Sequence, residues 1–237
     1  MLTTSFPRAL RSGVIACLVS AVPALAQTGA KNGEWRSYGG DTANTRYSPL
    51  DQINGTNFNK LQLAWHFNTA NLGPRPEYNL EGTPLMANGI LYATAGTRRA
   101  VVALDAVTGE ELWVHGENEG ARGRSAPRQL SGRGLSYWAD GAEERVFYVT
   151  PGYRLVALNA KTGARIATFG KDGTVDLKED DDQVIDPITG EVGLHSAPVV
   201  ANTRYAALVL APVVDGQIQI STTVPTRYNA SLVGYIA

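Results

Sequence analysis

Cysteine is almost missing from the 237 residues: a single Cys17 excludes an intrachain disulfide framework. Histidine is nearly as scarce, with three copies and no H-E-x-x-H, so no dedicated transition-metal site is spelled out. A basic excess is also lacking. Lys+Arg number 21 against 22 Asp+Glu, a formal charge of −1, which removes attraction to a phosphate backbone as the default binding mode and with it a nucleic-acid partner. No G-x-G-x-x-G opens a helix after a strand, since Gly132-Arg133-Gly134 has no third glycine; this disfavours a dinucleotide-binding Rossmann unit. There is neither a G-x-S-x-G elbow nor a C-x-x-C-H haem attachment sequence. After the first 26 residues no apolar run approaches the roughly 18 residues of a membrane helix.

What is present suits a turn-rich β protein. Hydrophobic residues reach 43% and charged residues 18%, enough for a buried core. Glycine is abundant at 25, and Tyr outnumbers Phe by 10 to 5. The amino terminus reads as an export signal, residues 1–26. Arg8 and Arg11 form a positive start, Gly13 to Leu25 an apolar stretch, and Ala24-Leu25-Ala26 a cleavage sequence. Val14-Ile15-Ala16-Cys17 is a competing lipoprotein-type box, but it leaves too short an apolar region after Arg11, where about 7–15 residues are expected. The expectation is cleavage after Ala26 and a periplasmic location for residues 27–237.

Self-comparison organises those residues. The segment from Val101 to Trp113, with Ala103-Leu104-Asp105-Ala106-Val107-Thr108-Gly109, recurs from Leu155 to Ala167 with Ala157-Leu158-Asn159-Ala160-Lys161-Thr162-Gly163. Upstream of each copy, Ile90-Leu91-Tyr92-Ala93-Thr94-Ala95-Gly96 matches Val146-Phe147-Tyr148-Val149-Thr150-Pro151-Gly152. Further upstream, Gly82-Thr83-Pro84-Leu85 resembles Ser196-Ala197-Pro198-Val199-Val200, with Leu135-Ser136-Tyr137-Trp138 between them. Each unit predicts four short antiparallel strands, the fourth following the D/N-x-x-T-G turn. Four strands about every 50 residues describe β-propeller blades, here about three of them. Asp105 and Asn159 can accept bonds from their turns, and Gly109 and Gly163 can take positive φ. The residue ten after the alanine can dock between blades; Trp113 holds that place in one copy and Ala167 in the other. After Asn202 no clean unit fits, and the tail 203–237 reads as irregular, truncated or out of frame. Three blades leave open strand edges, so self-association is expected.

Trp35-Arg36-Ser37-Tyr38-Gly39-Gly40-Asp41, Asn44-Thr45-Arg46-Tyr47-Ser48-Pro49-Leu50 and Leu61-Gln62-Leu63-Ala64-Trp65 together resemble the amino-terminal part of the pyrroloquinoline quinone (PQQ)-dependent dehydrogenases. The repeat ending at Trp113 is similar to that family's tryptophan-docking unit, and Arg133-Gly134-Leu135-Ser136-Tyr137-Trp138 resembles another of its stretches. The resemblance covers roughly Gly33 to Asn202. It implies an eight-bladed propeller holding PQQ beside a calcium ion, oxidising an alcohol, sugar or polyol, and passing electrons to a quinone or cytochrome. On the matching positions it implies a cofactor role for Glu81, for Arg133 as a carboxylate-binding arginine, and for His195 and Ser196. The region Ala121 to Arg128 has no cysteine pair, which aligns the chain with the glucose/polyol branch. In the family the calcium ligands and the general base come from later blades, outside this sequence. The chain alone is therefore expected to be catalytically inactive.

Other readings compete. Related repeats also build non-catalytic periplasmic scaffolds, which need neither Glu81 nor Arg133 in these contexts. His66 and His115, at strand ends beside tryptophans, read as structural. Lys178-Glu179-Asp180-Asp181-Asp182 lacks the order of a calcium loop and reads as a solvated surface loop.

Overall fold

A computed structural model describes residues 33–41, 43–179 and 183–200. Two four-stranded antiparallel meanders hold the described residues together. The first is β1 (Leu85–Ala87), β2 (Ile90–Ala95), β3 (Ala100–Asp105) and β4 (Glu111–His115), in that spatial order. The second is β5 (Ser136–Asp140), β6 (Glu143–Val149), β7 (Arg154–Asn159) and β8 (Thr174–Asp176). A six-residue helix, α1 (Gly120–Ser125), lies on the connection between them. Among the described residues no helix is long and apolar enough to cross a membrane.

The strands form where the repeat places them, for visible reasons. Asn88 and Gly89 both have positive φ, 51° and 78°, the two-residue turn whose twist matches its flanking strands. It joins Ala87 to its ladder partner Ile90. In the next hairpin Tyr92 faces Ala103, and in the second sheet Phe147 faces Ala157. The V-V-A-L and L-V-A-L stretches are buried nearly throughout, because each central strand is covered on both faces. Asp105 Oδ1 accepts the Val107 and Thr108 amides at 2.9 and 2.8 Å, and Asn159 Oδ1 accepts those of Lys161 and Thr162 at 2.9 and 3.1 Å. Gly109 and Gly163 close these turns at φ 74° and 70°.

Packing between the sheets comes from both copies of the repeat. Leu85, Tyr92, Val101 and Ala103 of the first meet Leu135, Tyr137, Val146, Tyr148 and Leu158 of the second in one buried cluster. The Tyr92 hydroxyl crosses to donate to the Ala160 carbonyl at 3.1 Å. Trp113 does the same from β4: its Nε1–H donates to Ala160 O at 3.0 Å and its ring lies on Gly163, where a Cβ would fall 2.5 Å from Cε3. Trp65 repeats the contact one sheet earlier, with Nε1–H on Ala106 O at 3.3 Å and its ring on Gly109. The sequence marks Trp113 for docking; the equal role of Trp65 becomes visible only in three dimensions.

Three expectations need correction or limits. In the second sheet the fourth strand does not directly follow the Thr-Gly turn. Only the Leu158–Arg165 bridge forms there, and the chain makes an excursion before β8 completes the sheet. Ala157 explains the detour: its carbonyl takes the Ile166 amide at 2.9 Å and its amide is bound by Gly173 O at 2.9 Å. With Ala167 where a docking tryptophan would stand, Phe169 turns in against Phe147 instead, ring centroids 5.5 Å apart. Secondly, Lys178 is not solvated. It is 6% exposed, and its Nζ donates to Gly190 O at 2.8 Å; Asp180 to Asp182 lie outside the described residues. Thirdly, Ser196 to Val200 carry no strand pairing, and the rest of the third unit, the tail 203–237 and the export signal 1–26 all lie outside the described residues.

Candidate functional site

The chain enters each unit from the same end of the sheets, and the three entering segments lie side by side. The Thr83 amide donates to Arg133 O at 3.1 Å, and the Arg133 amide donates to His195 O at 2.9 Å. Residues 50 to 114 positions apart in sequence thus become neighbours on one face. Of the four residues singled out in the sequence, Glu81, Arg133 and His195 meet there; Ser196 sits exposed on the bend after His195.

The side chains complete the arrangement. His195 Nε2 and Glu81 Oε2 are 2.5 Å apart, and Glu81 Oε1 accepts from Asn79 Nδ2 at 2.6 Å. The bond to His195, then that to Asn79, hold the Glu81 carboxyl below the usual carboxylate range, with the Arg133 charge acting in the same sense. An ionised carboxylate only accepts, so the proton of this contact belongs on His195 Nε2. That leaves Nδ1 of His195, which is buried and has no hydrogen-bond partner among the described residues. Arg133 is exposed, and its guanidinium makes no hydrogen bond to the described residues.

Behind this face lies a polar framework that the sequence reading missed. Arg99, 2% exposed, sends its guanidinium into four backbone carbonyls. Glu77 accepts the Gly96 and Ser131 amides at 2.8 and 2.9 Å. Glu119 plays the matching part in the second sheet, accepting the Gly152 amide at 2.6 Å and the Thr150 hydroxyl at 2.8 Å. Arg122, on α1, is 5% exposed and grips Asp176 with two bonds of 2.6 and 2.5 Å. The one available signal was charge placed next to the repeat's turns, with partners 19 to 95 residues away. His115, expected to be structural, lies with Nε2 2.7 Å from Glu117 Oε1.

Four-stranded antiparallel sheets and tryptophans docked across successive sheets mark a β-propeller. The family model described as "PQQ: Glucose/ethanol/alcohol dehydrogenase, beta-propeller domain" matches residues 35–223, and the chain belongs to this family. It is 42% identical over 139 residues to the dehydrogenase subunit of an alcohol dehydrogenase (quinone) from Gluconobacter oxydans, covering 57% of this chain and 17% of the relative. With the glycerol dehydrogenase large subunit of Gluconobacter thailandicus the figures are 31% over 212 residues, 84% and 27%. Quinohemoprotein alcohol dehydrogenase from Pseudomonas putida HK5 superimposes with a TM-score of 0.54 at 29% identity, covering 72% of this chain and 22% of that one. The chain therefore spans about a quarter or less of the length of these proteins.

The residues present fit one family-implied group and not the other. PQQ is a tricarboxylate quinone. Arg133, exposed and hydrogen-bonded to no carboxylate among the described residues, is a donor suited to such an anion, and the orphaned Nδ1 of His195 is a further polar atom at this face. Calcium needs six to eight oxygens. At this face Glu81 is already engaged by His195 and Asn79, and no group of three or more His, Cys, Asp or Glu capable of holding a metal occurs among the described residues.

Proposed function

We propose that this chain supplies the first part of the PQQ-binding face of an exported dehydrogenase that oxidises an alcohol, polyol or sugar. The observation that carries the reading is the meeting of Glu81, Arg133 and His195, from three successive units, on one face. A repeat built only as a scaffold needs no such meeting, which favours the enzyme over a binding module. The glycerol and alcohol dehydrogenases among the relatives support a hydroxyl-bearing substrate, and the absence of a cysteine pair at Ala121 to Arg128 suggests the glucose/polyol branch.

Arg133 binds a carboxylate of the cofactor through its planar fork. Glu81 accepts from His195 Nε2 and so holds the ring in one orientation, leaving Nδ1 without a partner among the described residues. When bound, PQQ supplies the two-electron acceptor for oxidation of the hydroxyl-bearing carbon, with a quinone or cytochrome beyond it. The described residues offer no unengaged carboxylate at this face for a base, so the contribution of this segment is binding and orientation, without turnover of its own. The open edge beside Leu112 and Val114, 47% and 38% exposed on β4, suits association with further strands.

The test is a calorimetric titration of PQQ into the full chain and into Arg133→Gln. Saturable binding by the wild type, weakened about tenfold or more by the loss of one charge-assisted pair, is the expected outcome. No binding by a folded wild type, or equal binding by the variant, overturns the proposal.

A further inference from the structure

The two copies of the repeat differ in one place that the docking face feels. The turns between β2 and β3 and between β6 and β7 both span four residues, 96–99 and 150–153, but the residue just before the third strand is Arg99 in the first and Tyr153 in the second. The first turn thus carries Arg98 and Arg99. Arg99 takes a left-handed φ of 53°, uncommon outside glycine, and its side chain runs inward.

What it reaches is main chain. Nε donates to Leu130 O at 3.1 Å and Nη2 to Arg128 O at 2.9 Å; Nη1 donates to Val149 O and to Leu194 O, both at 2.8 Å. The segment carrying Arg133 wraps around this cation, with Leu130 and Gly132 both at positive φ, 68° and 65°. Gly132 lies so close that a Cβ there would stand 2.8 Å from Arg99 Nε. Leu194, whose carbonyl is held, immediately precedes His195. Among the described residues no carboxylate bonds the guanidinium, and burial brings its pKa down to about 10, with the charges of Glu119 and Glu77 opposing the fall. A buried cation satisfied only by carbonyls is costly to keep for packing alone, since an apolar side chain of similar volume fills space without it.

We infer that Arg99 is a positioning residue for the candidate cofactor face: one guanidinium joins the segment bearing Arg133 to the segment bearing His195 and so sets the distance between them. The inference rests on the proposed PQQ role only for its functional consequence; the geometric claim stands on the hydrogen bonds. Arg99 touches neither substrate nor cofactor and acts through Arg133 and His195.

The experiment compares the full-length wild type with Arg99→Lys and Gly132→Ala, which displaces the guanidinium without removing its charge. Thermal melting establishes folding. Imidazole nitrogen–proton NMR signals of the ligand-free protein, assigned through His195→Gln, report the His195–Glu81 contact, with His66 as reference. PQQ titration reports affinity. In the folded variants the His195 signals are expected to move toward those of Glu81→Gln while His66 stays in place. PQQ affinity is expected to fall about 10–100-fold, the range for residues that orient a binding group. Should Arg99→Lys fail to fold, Gly132→Ala decides alone. Unchanged His195 signals overturn the inference, as does loss of folding in both variants, which assigns Arg99 to the fold only. If the wild type does not bind PQQ, the proposed function fails while the His195 signals still decide the positioning role.

Discussion

Gly163→Ala should destabilise the chain in a manner that depends on Trp113. Gly163 sits at φ +70°, and a Cβ there would lie 2.5 Å from Trp113 Cε3. The left-handed conformation costs alanine about 1–2 kcal/mol, and overpacking against the indole adds about 1–3 kcal/mol. Trp113→Ala loses a half-buried ring and the bond to Ala160 O at 3.0 Å, worth about 2–4 kcal/mol, toward the low side for tryptophan because the ring keeps some exposure. In the double variant the new methyl enters space the indole has vacated, so only the backbone strain remains from the first change. The double loss should therefore fall short of the sum by about 1–3 kcal/mol. Gly89 provides the control: φ is +78° with nothing within 4 Å of its would-be Cβ, so Gly89→Ala should cost only the strain, about 1–2 kcal/mol. Urea unfolding followed by far-ultraviolet circular dichroism measures all four variants. Additivity within about 0.5 kcal/mol, or a Gly163→Ala no worse than Gly89→Ala, would refute blade docking through this contact.

Further outcomes follow from the buried charges. Asp176→Ala leaves Arg122, 5% exposed, without its carboxylate, and should cost about 3–5 kcal/mol in a melting experiment; a loss below about 1 kcal/mol contradicts the pairing. Burial alone would raise the Glu117 carboxyl, but hydrogen bonds from His115 and Arg165 and their charges outweigh it and bring the pKa from 4.5 to about 2. A depressed carboxylate stabilises the fold fully above 4.5 and loses that contribution as pH falls toward 2. With Arg165 42% exposed, solvent screening limits the effect to on the order of 1–2 kcal/mol. Glu117→Gln should flatten the pH dependence in that window, and an unchanged profile would count against it. Glu77→Gln keeps one acceptor for the Gly96 and Ser131 amides and should lower stability by about 1–2 kcal/mol, read as faster amide exchange at Ser131.

Much of this architecture is legible because it is periodic. The alternating V-A-L stretches, the Asx-anchored turns and the glycines closing them repeat, and each repeat fixes a strand pair through local chemistry. Glu81, Arg133 and His195 could be singled out because the stretches around them resemble the family's cofactor-side segments, and backbone bonds bring those three segments side by side. Arg99, Glu77, Glu119 and Arg122 were not readable. Each is a polar residue in a connection between strands, Arg122 on the short α1, whose partners are backbone groups or carboxylates far along the chain, so no spacing announces it. The displaced β8 was hidden for the opposite reason. The repeat pattern continues through Gly163, but Ala167 cannot dock as Trp113 does, and Phe169 fills the space after a detour.

The most direct measurement is the location of PQQ on the full chain by amide and imidazole chemical-shift mapping. Shifts concentrated at Thr83, Arg133 and His195, and abolished in Arg133→Gln, are the result predicted by a cofactor face assembled from three successive units. Shifts scattered over the surface, or centred away from these residues, would contradict it.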